Sequence, residues 1–283
     1  QFLLFLTAVI KAVDENQDLL RCIVASAGND HRLGANEAPP SIMSIYVGDE
    51  LDAILNAIRL GTDYEDAKKK KMTIGVDVLP PIPKDSTDRN RTSPFAFTGN
   101  RFEFRSVGSN LSISGPNTIL NAILADALKS FADELEKSSN FDSDLHKLIK
   151  REITNHWKIL FNGNGYGAEW IVEAEKRGLK NYRTTPDAME HYLDEKNIKL
   201  LGGLGIYTED EMRSHYEIKL EKYTKIVGIE ANTLLQMVNR QIMPACLRFA
   251  DETARAVVNI KAAGCDILSA EETLRQLTKG ISM

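Results

Sequence analysis

With 283 residues, 43% of them hydrophobic, the chain has room for one large domain or two of ordinary size around a real core. Its 35 basic and 40 acidic side chains leave a net charge of −5, which argues against a general nucleic-acid binder. Cys22, Cys246 and Cys265 have neither paired nor metal-ligand spacing, so a disulfide framework is excluded in favour of a reducing compartment, by default the cytosol.

The opening run, Phe2 to Val13, is apolar but has no basic segment before it and no cleavage site after it, and it is too short to span a bilayer. It predicts a buried helix. The chain starts at Gln1 inside that helix, without an initiator Met or a cap, so the natural protein is expected to extend upstream; ending soon after Ser269 raises the same expectation beyond Met283. Leu19 to Ser26 is a short apolar run that predicts a strand. Ala27 to Pro40 is small and polar, with His31, Arg32 and Glu37, and its length favours a functional loop over a plain connection.

Ser41 to Val47 alternates weakly and predicts a strand. Leu51, Ile54, Leu55 and Ile58 set helical spacing over Asp49 to Leu60. Four lysines, Lys68 to Lys71, read as a solvated loop before anion binding is considered. Ile74 to Leu79 predicts a strand, and the prolines at 80, 81 and 83 break the chain.

Asn90 to Arg105 reads Asn-Arg-Thr-Ser-Pro-Phe-Ala-Phe-Thr-Gly-Asn-Arg-Phe-Glu-Phe-Arg. Strand side chains repeat every two residues, so Arg101, Glu103 and Arg105 share one face while Phe102 and Phe104 share the other. Phe95 and Phe97 repeat the alternation upstream, which predicts two strands hinged at Gly99. The charged face has two readings: a solvated edge with paired charges, the commoner pattern, or a floor that meets a ligand. Arginines present bidentate donors to carboxylate and phosphate, and a carboxylate between them suits a hard cation.

From Pro116 the character turns helical. Ile119, Ile123, Ala127 and Phe131 predict a helix to about Leu135, and a second runs from Asp142 to Leu160. Asn162 to Gly167 is glycine-rich but follows a helix and lacks the Gly-Lys-Ser/Thr ending of a phosphate loop, so it reads as a flexible connection. Thr185-Pro186 starts a helix, and Thr208 to Glu211 and Ser269 to Glu272 fit capping boxes. Between those boxes an amphipathic stretch passes Leu220, Leu234, Met237, Ile242 and Leu247, with a kink or break at Pro244; its methionines read as core packing. His146, His156, His191 and His215 have no second ligand at metal-binding spacing and read as packing or surface.

Three pieces stand in fixed order: Arg32-Leu33 with Glu37-Ala38-Pro39, then Asn90-Arg91-Thr92, then Arg101-Phe102-Glu103-Phe104-Arg105. The ordered set resembles the carboxyl-terminal half of the glutamine synthetase catalytic domain. The wording of Gly28 to Pro40 and of Asn90 to Arg105 is similar to the type III branch in particular, over essentially the whole chain. The resemblance implies ATP-dependent ligation of ammonia to glutamate through γ-glutamyl phosphate, with ATP as substrate and Mg²⁺ or Mn²⁺ as cofactor. It implies that Arg32 and Arg105 bind glutamate, that Glu37 is the flap glutamate that helps deprotonate ammonium, that Arg91 and Arg101 stabilise the phosphates, and that Glu103 ligates a metal.

Two departures from the short-chain members stand out. This chain has one residue fewer between Arg32 and Glu37, and Ala96 stands where they have a further arginine. The expected fold class is α+β: residues 1–115 as the carboxyl-terminal part of the catalytic domain, then a mostly helical region, 116–283. The resemblance also implies that the remaining metal ligands and a small β-domain lie upstream, that sites form between subunits of a homo-oligomeric ring, and that this chain alone is inactive. Neither nucleic acid nor membrane is an expected partner. Two other readings remain: a non-catalytic relative that senses nitrogen metabolites, and a helical interaction protein built on residues from 116 onward.

Overall fold

Helix α1, Phe2–Glu15, carries the apolar opening run into the core, where Leu6, Ala8, Val9, Ile10, Ala12 and Val13 are buried while Phe2 and Phe5 stay exposed. The computed structural model describes residues 1–35, 38–64, 71–72, 82–83, 91–265 and 267–281, and the expected strand at Ile74 to Leu79 lies outside them. The chain divides into two compact units, Gln1–Tyr223 and Thr224–Met283. Residue 115, where the sequence changes character, is inside the first.

Leu19 to Ser26 is not a strand. Helix α2, Gln17–Ile23, occupies most of it, and Gln17 through Cys22 are all buried. A short helix covered on every side leaves no amphipathic period, so a continuous apolar run reads equally as a core strand. Helix α3, Ala27–Arg32, follows where a loop is expected; the Ser26 hydroxyl accepts the Asn29 N–H at 3.2 Å and caps it.

Strand β1 is only Ile45–Tyr46, shorter than the predicted Ser41 to Val47, because Ile42 bridges instead to Asn181. Helix α4 spans Asp49–Leu60 as its spacing requires, and Gly61 closes it in the left-handed conformation. Strands β2, Lys71–Met72, and β3, Ile82–Pro83, form an antiparallel pair. Strands β4, Phe95–Phe97, and β5, Phe102–Phe104, are joined through Gly99 at φ 93°, and β1 pairs parallel to β4 on its other side. The register places Ile45, Phe95 and Phe104 side by side on one face, and Tyr46, Ala96 and Glu103 on the other.

Helix α5, Ser114–Leu135, buries Ile119, Ile123, Ala127 and Phe131, and α6, Phe141–Asn155, is capped by Asn140. α6 stops short of the expected Leu160; one tight turn, Trp157–Ile159, completes the segment. Both helices pack on α1, so the helical region up to residue 223 shares the core of the sheet. Helix α7 is Ala168–Lys176; α8, Thr185–Met189, is capped by Thr184, one residue before the predicted cap; α9 is Glu195–Gly203.

Helix α10, Glu209–Met237, begins at the predicted capping box, where Thr208 N–H donates to Glu211 and the Glu211 N–H donates back to the Thr208 hydroxyl. From this helix Lys219 donates to the carbonyls of Cys22 at 2.8 Å and Ile23 at 3.2 Å, completing the end of α2. Burial lowers the lysine pKa to about 8. An unfolded lysine titrates near ~10.4, so between those values the unfolded chain binds more protons and stability rises with pH. The denaturation midpoint of the native protein relative to Lys219→Met is expected to climb through that window; a flat difference overturns this.

The second unit holds the end of α10, a widened turn at Val238–Ile242, helix α11, Met243–Ala262, and helix α12, Leu268–Ile281. Pro244 does not break the stretch. It lacks an N–H and crowds the carbonyl four residues back, and the helix accommodates it by widening just upstream. Leu234, Met237, Ile242 and Leu247 are exposed there, so the methionines divide: Met212 is buried in the first unit, but Met237 is not core packing. α12 starts at Leu268, placing Ser269 within the helix instead of at its cap. Among the described residues no helix is long and apolar enough to cross a membrane.

Candidate active-site wall

The β4–β5 hairpin sorts its residues as the alternation requires. Phe102 packs against Phe95 and Phe97 with ring centres 5.4 and 5.1 Å away, and Phe104 lies 6.0 Å from Phe95. This aromatic face closes on an apolar cavity of about 370 Å³ shared with α1 and α5. The charged face is left for chemistry.

On that face Glu103 sits between two guanidinium groups. Arg101 Nε donates to Glu103 Oε1 at 3.1 Å; Arg105 Nε and Nη2 donate to Oε2 at 3.2 and 3.0 Å. Hydrogen bonding by Arg105, with help from Arg101, holds the Glu103 carboxyl below the usual range, so it is anionic at neutral pH. Two cations and one anion leave the face with a net positive charge, suited to carboxylate and phosphate. The Arg101 side chain is 71% exposed and that of Arg105 11%, so the first reaches outward while the second forms the floor.

Arg32, the last residue of α3, is brought to the same place. Its Nη2 donates to the Arg105 carbonyl at 3.1 Å and its Nη1 to Asn29 Oδ1 at 3.2 Å. Asn29 is the clamp that sequence reading missed: buried, it donates to the carbonyls of Val24 at 2.7 Å and Ser106 at 2.8 Å, fastening α3 to the chain leaving β5. An asparagine in a polar loop gives no signal of contacts so distant along the chain.

Arg91 lies on the segment entering β4, where Pro94 O accepts the Arg105 N–H at 2.8 Å. Among the described residues it is the non-glycine residue with positive φ, 55°, a conformation that costs about 1–2 kcal/mol. Glu37 and Asn90 lie outside the described residues. Ala96, where an arginine is expected in short-chain members, is fully buried in mid-strand opposite Glu103, so β4 offers no phosphate contact there.

A hard divalent cation takes about six oxygen ligands. Glu103 presents two carboxylate oxygens, yet among the described residues it joins no group of three potential metal ligands. It fits one ligand position, not a self-contained site. The one such group among the described residues is Asp18, His191 and Asp194, whose ligand atoms lie within 4.8 Å of one another. Lys196 donates to Asp18 at 2.7 Å and His191 meets Asp194 at 3.1 Å, so these groups are already partnered by hydrogen bonds as a structural cluster. His156 is likewise packed, 2.7 Å from Asp14.

The family model described as the glutamine synthetase C-terminal domain matches residues 144–261. The chain is 47% identical over 263 residues to a type-3 glutamine synthetase of Dictyostelium discoideum, covering 92% of this chain and 36% of that protein. It is 42% identical over 270 residues to a glutamine synthetase of Butyrivibrio fibrisolvens, with 92% and 37% covered, and 41% identical over 278 residues to one of Bacteroides fragilis (strain YCH46), with 96% and 38% covered. The chain belongs to the glutamine synthetase family. It spans little more than a third of the length of these relatives. Within the chain the family-model match falls on the helices from α6 to α11, whereas Arg32, Arg91, Arg101, Glu103 and Arg105 all precede it.

Proposed function

We propose that this chain supplies the glutamate- and phosphate-binding wall of an ATP-dependent glutamate–ammonia ligase. The observation that supports it best is the convergence of Arg32 and Arg105, 73 residues apart, beside the Arg101–Glu103–Arg105 face. Arg105 and Arg32 orient the substrate glutamate by its carboxylates. Arg101 and Arg91 receive the phosphates, and charge that builds on the transferred phosphoryl oxygens is met by their guanidinium groups. Glu103, besides aligning both arginines, would be one oxygen ligand of Mg²⁺ or Mn²⁺, which when bound supplies Lewis-acid stabilisation to the phosphoryl group. Glu37, five residues past Arg32 in the sequence, takes the proton from ammonium, and keeping water from the acyl phosphate prevents its hydrolysis. The setting is cytosolic, consistent with three unpaired cysteines, and the working form is a homo-oligomeric ring.

The full-length gene product is expected to form glutamine, ADP and phosphate from glutamate, ammonium and ATP; no ATP-dependent glutamine formation overturns the proposal. The 283-residue chain alone is expected to be inactive, because it spans little more than a third of the length of the relatives it matches and, among the described residues, Glu103 joins no group of potential metal ligands.

A further inference from the structure

Asn162 to Gly167 is not a loose connection. The chain leading into it pairs beside β1: Leu160 bridges Ile45, and the Phe161 N–H donates to the Ile45 carbonyl at 2.9 Å. Asn162 Oδ1 then accepts the N–H groups of both Val47 and Gly48 at 2.9 Å, while its Nδ2 donates to Asp52 at 2.9 Å. The far end of the loop rests on the phosphate-side segment. The Tyr166 hydroxyl donates to the Arg91 carbonyl at 3.0 Å. At Gly165 the backbones approach so closely that a Cβ would clash with the Thr92 carbonyl oxygen and lie 3.4 Å from Pro40.

We infer that this loop is a positioning device for Arg91, with Tyr166 fastening its carbonyl and Gly165 permitting the approach. Arg91 has the positive φ described above, and a non-glycine residue keeps that conformation only where its surroundings over-determine it. The carbonyl that Tyr166 holds belongs to the same residue, so the contact fixes the peptide plane from which the guanidinium is aimed. Tyr166 is a positioning residue: its hydroxyl acts on the backbone of Arg91 and reaches no reacting atom. The inference rests on the assignment of Arg91 to the ATP phosphates, and its test separates the two.

In the full-length gene product, Tyr166→Phe is expected to lower kcat/KM for ATP by roughly three- to tenfold, the worth of one hydrogen bond, with KM for glutamate and the thermal midpoint nearly unchanged. In an Arg91→Ala background the same substitution is expected to have no further effect, because it acts through the residue already removed. Gly165→Ala is expected to reproduce the defect more strongly, and where that variant fails to fold the tyrosine pair still decides. Unchanged ATP kinetics in Tyr166→Phe, or an equal loss in both backgrounds, overturns the positioning role while leaving Arg91 assigned. Unchanged ATP kinetics in Arg91→Ala overturns the assignment and this inference together.

Discussion

Arg105→Ala in the full-length gene product is expected to cut kcat/KM for glutamate by about a hundredfold or more, with ATP affinity much less affected and the fold retained. The magnitude is that of removing one guanidinium from a largely desolvated carboxylate contact, about 2–5 kcal/mol. Retention of the fold follows from which part of Arg105 does what. Arg32 is held by the Arg105 carbonyl, and Pro94 by its N–H, so both backbone anchors survive truncation of the side chain. Glu103 loses two donors but keeps Arg101, and its side chain is 33% exposed, so its remaining charge is solvated. Arg101→Ala offers the contrast. That side chain is 71% exposed on the same strand, and its loss is expected in ATP kinetics before glutamate kinetics. Unchanged glutamate kinetics in Arg105→Ala would refute the proposed substrate assignment.

Local contacts were legible and distant ones were not. The Arg101–Glu103–Arg105 cluster could be read because its members are two residues apart on one strand, and a period of two puts them on one face whatever the tertiary fold. The hairpin could be read because Gly99 offers the positive φ its turn needs. The contact of Arg32 with Arg105, the clamp of Asn29 on Ser106 and the docking of Tyr166 on Arg91 all join segments more than 70 residues apart. Spacing carries no trace of them; only the order of motifs, through family resemblance, pointed to the first. Asn162 to Gly167 illustrates the cost. Its glycines read as flexibility, but at Gly165 the missing side chain serves close packing against another backbone. The strand predicted at Leu19 failed for a different reason, since full burial of α2 erased the period that separates helix from strand.

That burial makes Arg21 the most consequential structural residue near the wall. It is fully buried in α2; its Nε donates to the Tyr182 carbonyl at 2.7 Å, and its Nη2 to Asp30 Oδ1 at 2.7 Å and the Arg183 carbonyl at 3.3 Å. Asp30 in turn accepts the Thr185 N–H at 2.5 Å, so one ion pair ties α2 and α3 to the start of α8. Arg21→Ala strands the Asp30 carboxylate and two carbonyls away from water, a change that costs about 3–5 kcal/mol in buried pairs. Arg21 Nη1 has no acceptor among the described residues, which already penalises the native state and places the expected loss at the lower end, about 3 kcal/mol. Because α3 carries Asn29 and Arg32, the variant is also expected to raise KM for glutamate without touching a substrate contact. Arg21→Met combined with Asp30→Asn removes both charges and is expected to recover much of the stability, since the dominant cost is the orphaned carboxylate. Denaturation midpoints of the three full-length proteins decide the matter. A loss below about 1 kcal/mol in Arg21→Ala, or a double variant no better than the single, would show that the pair does not hold α3 in place.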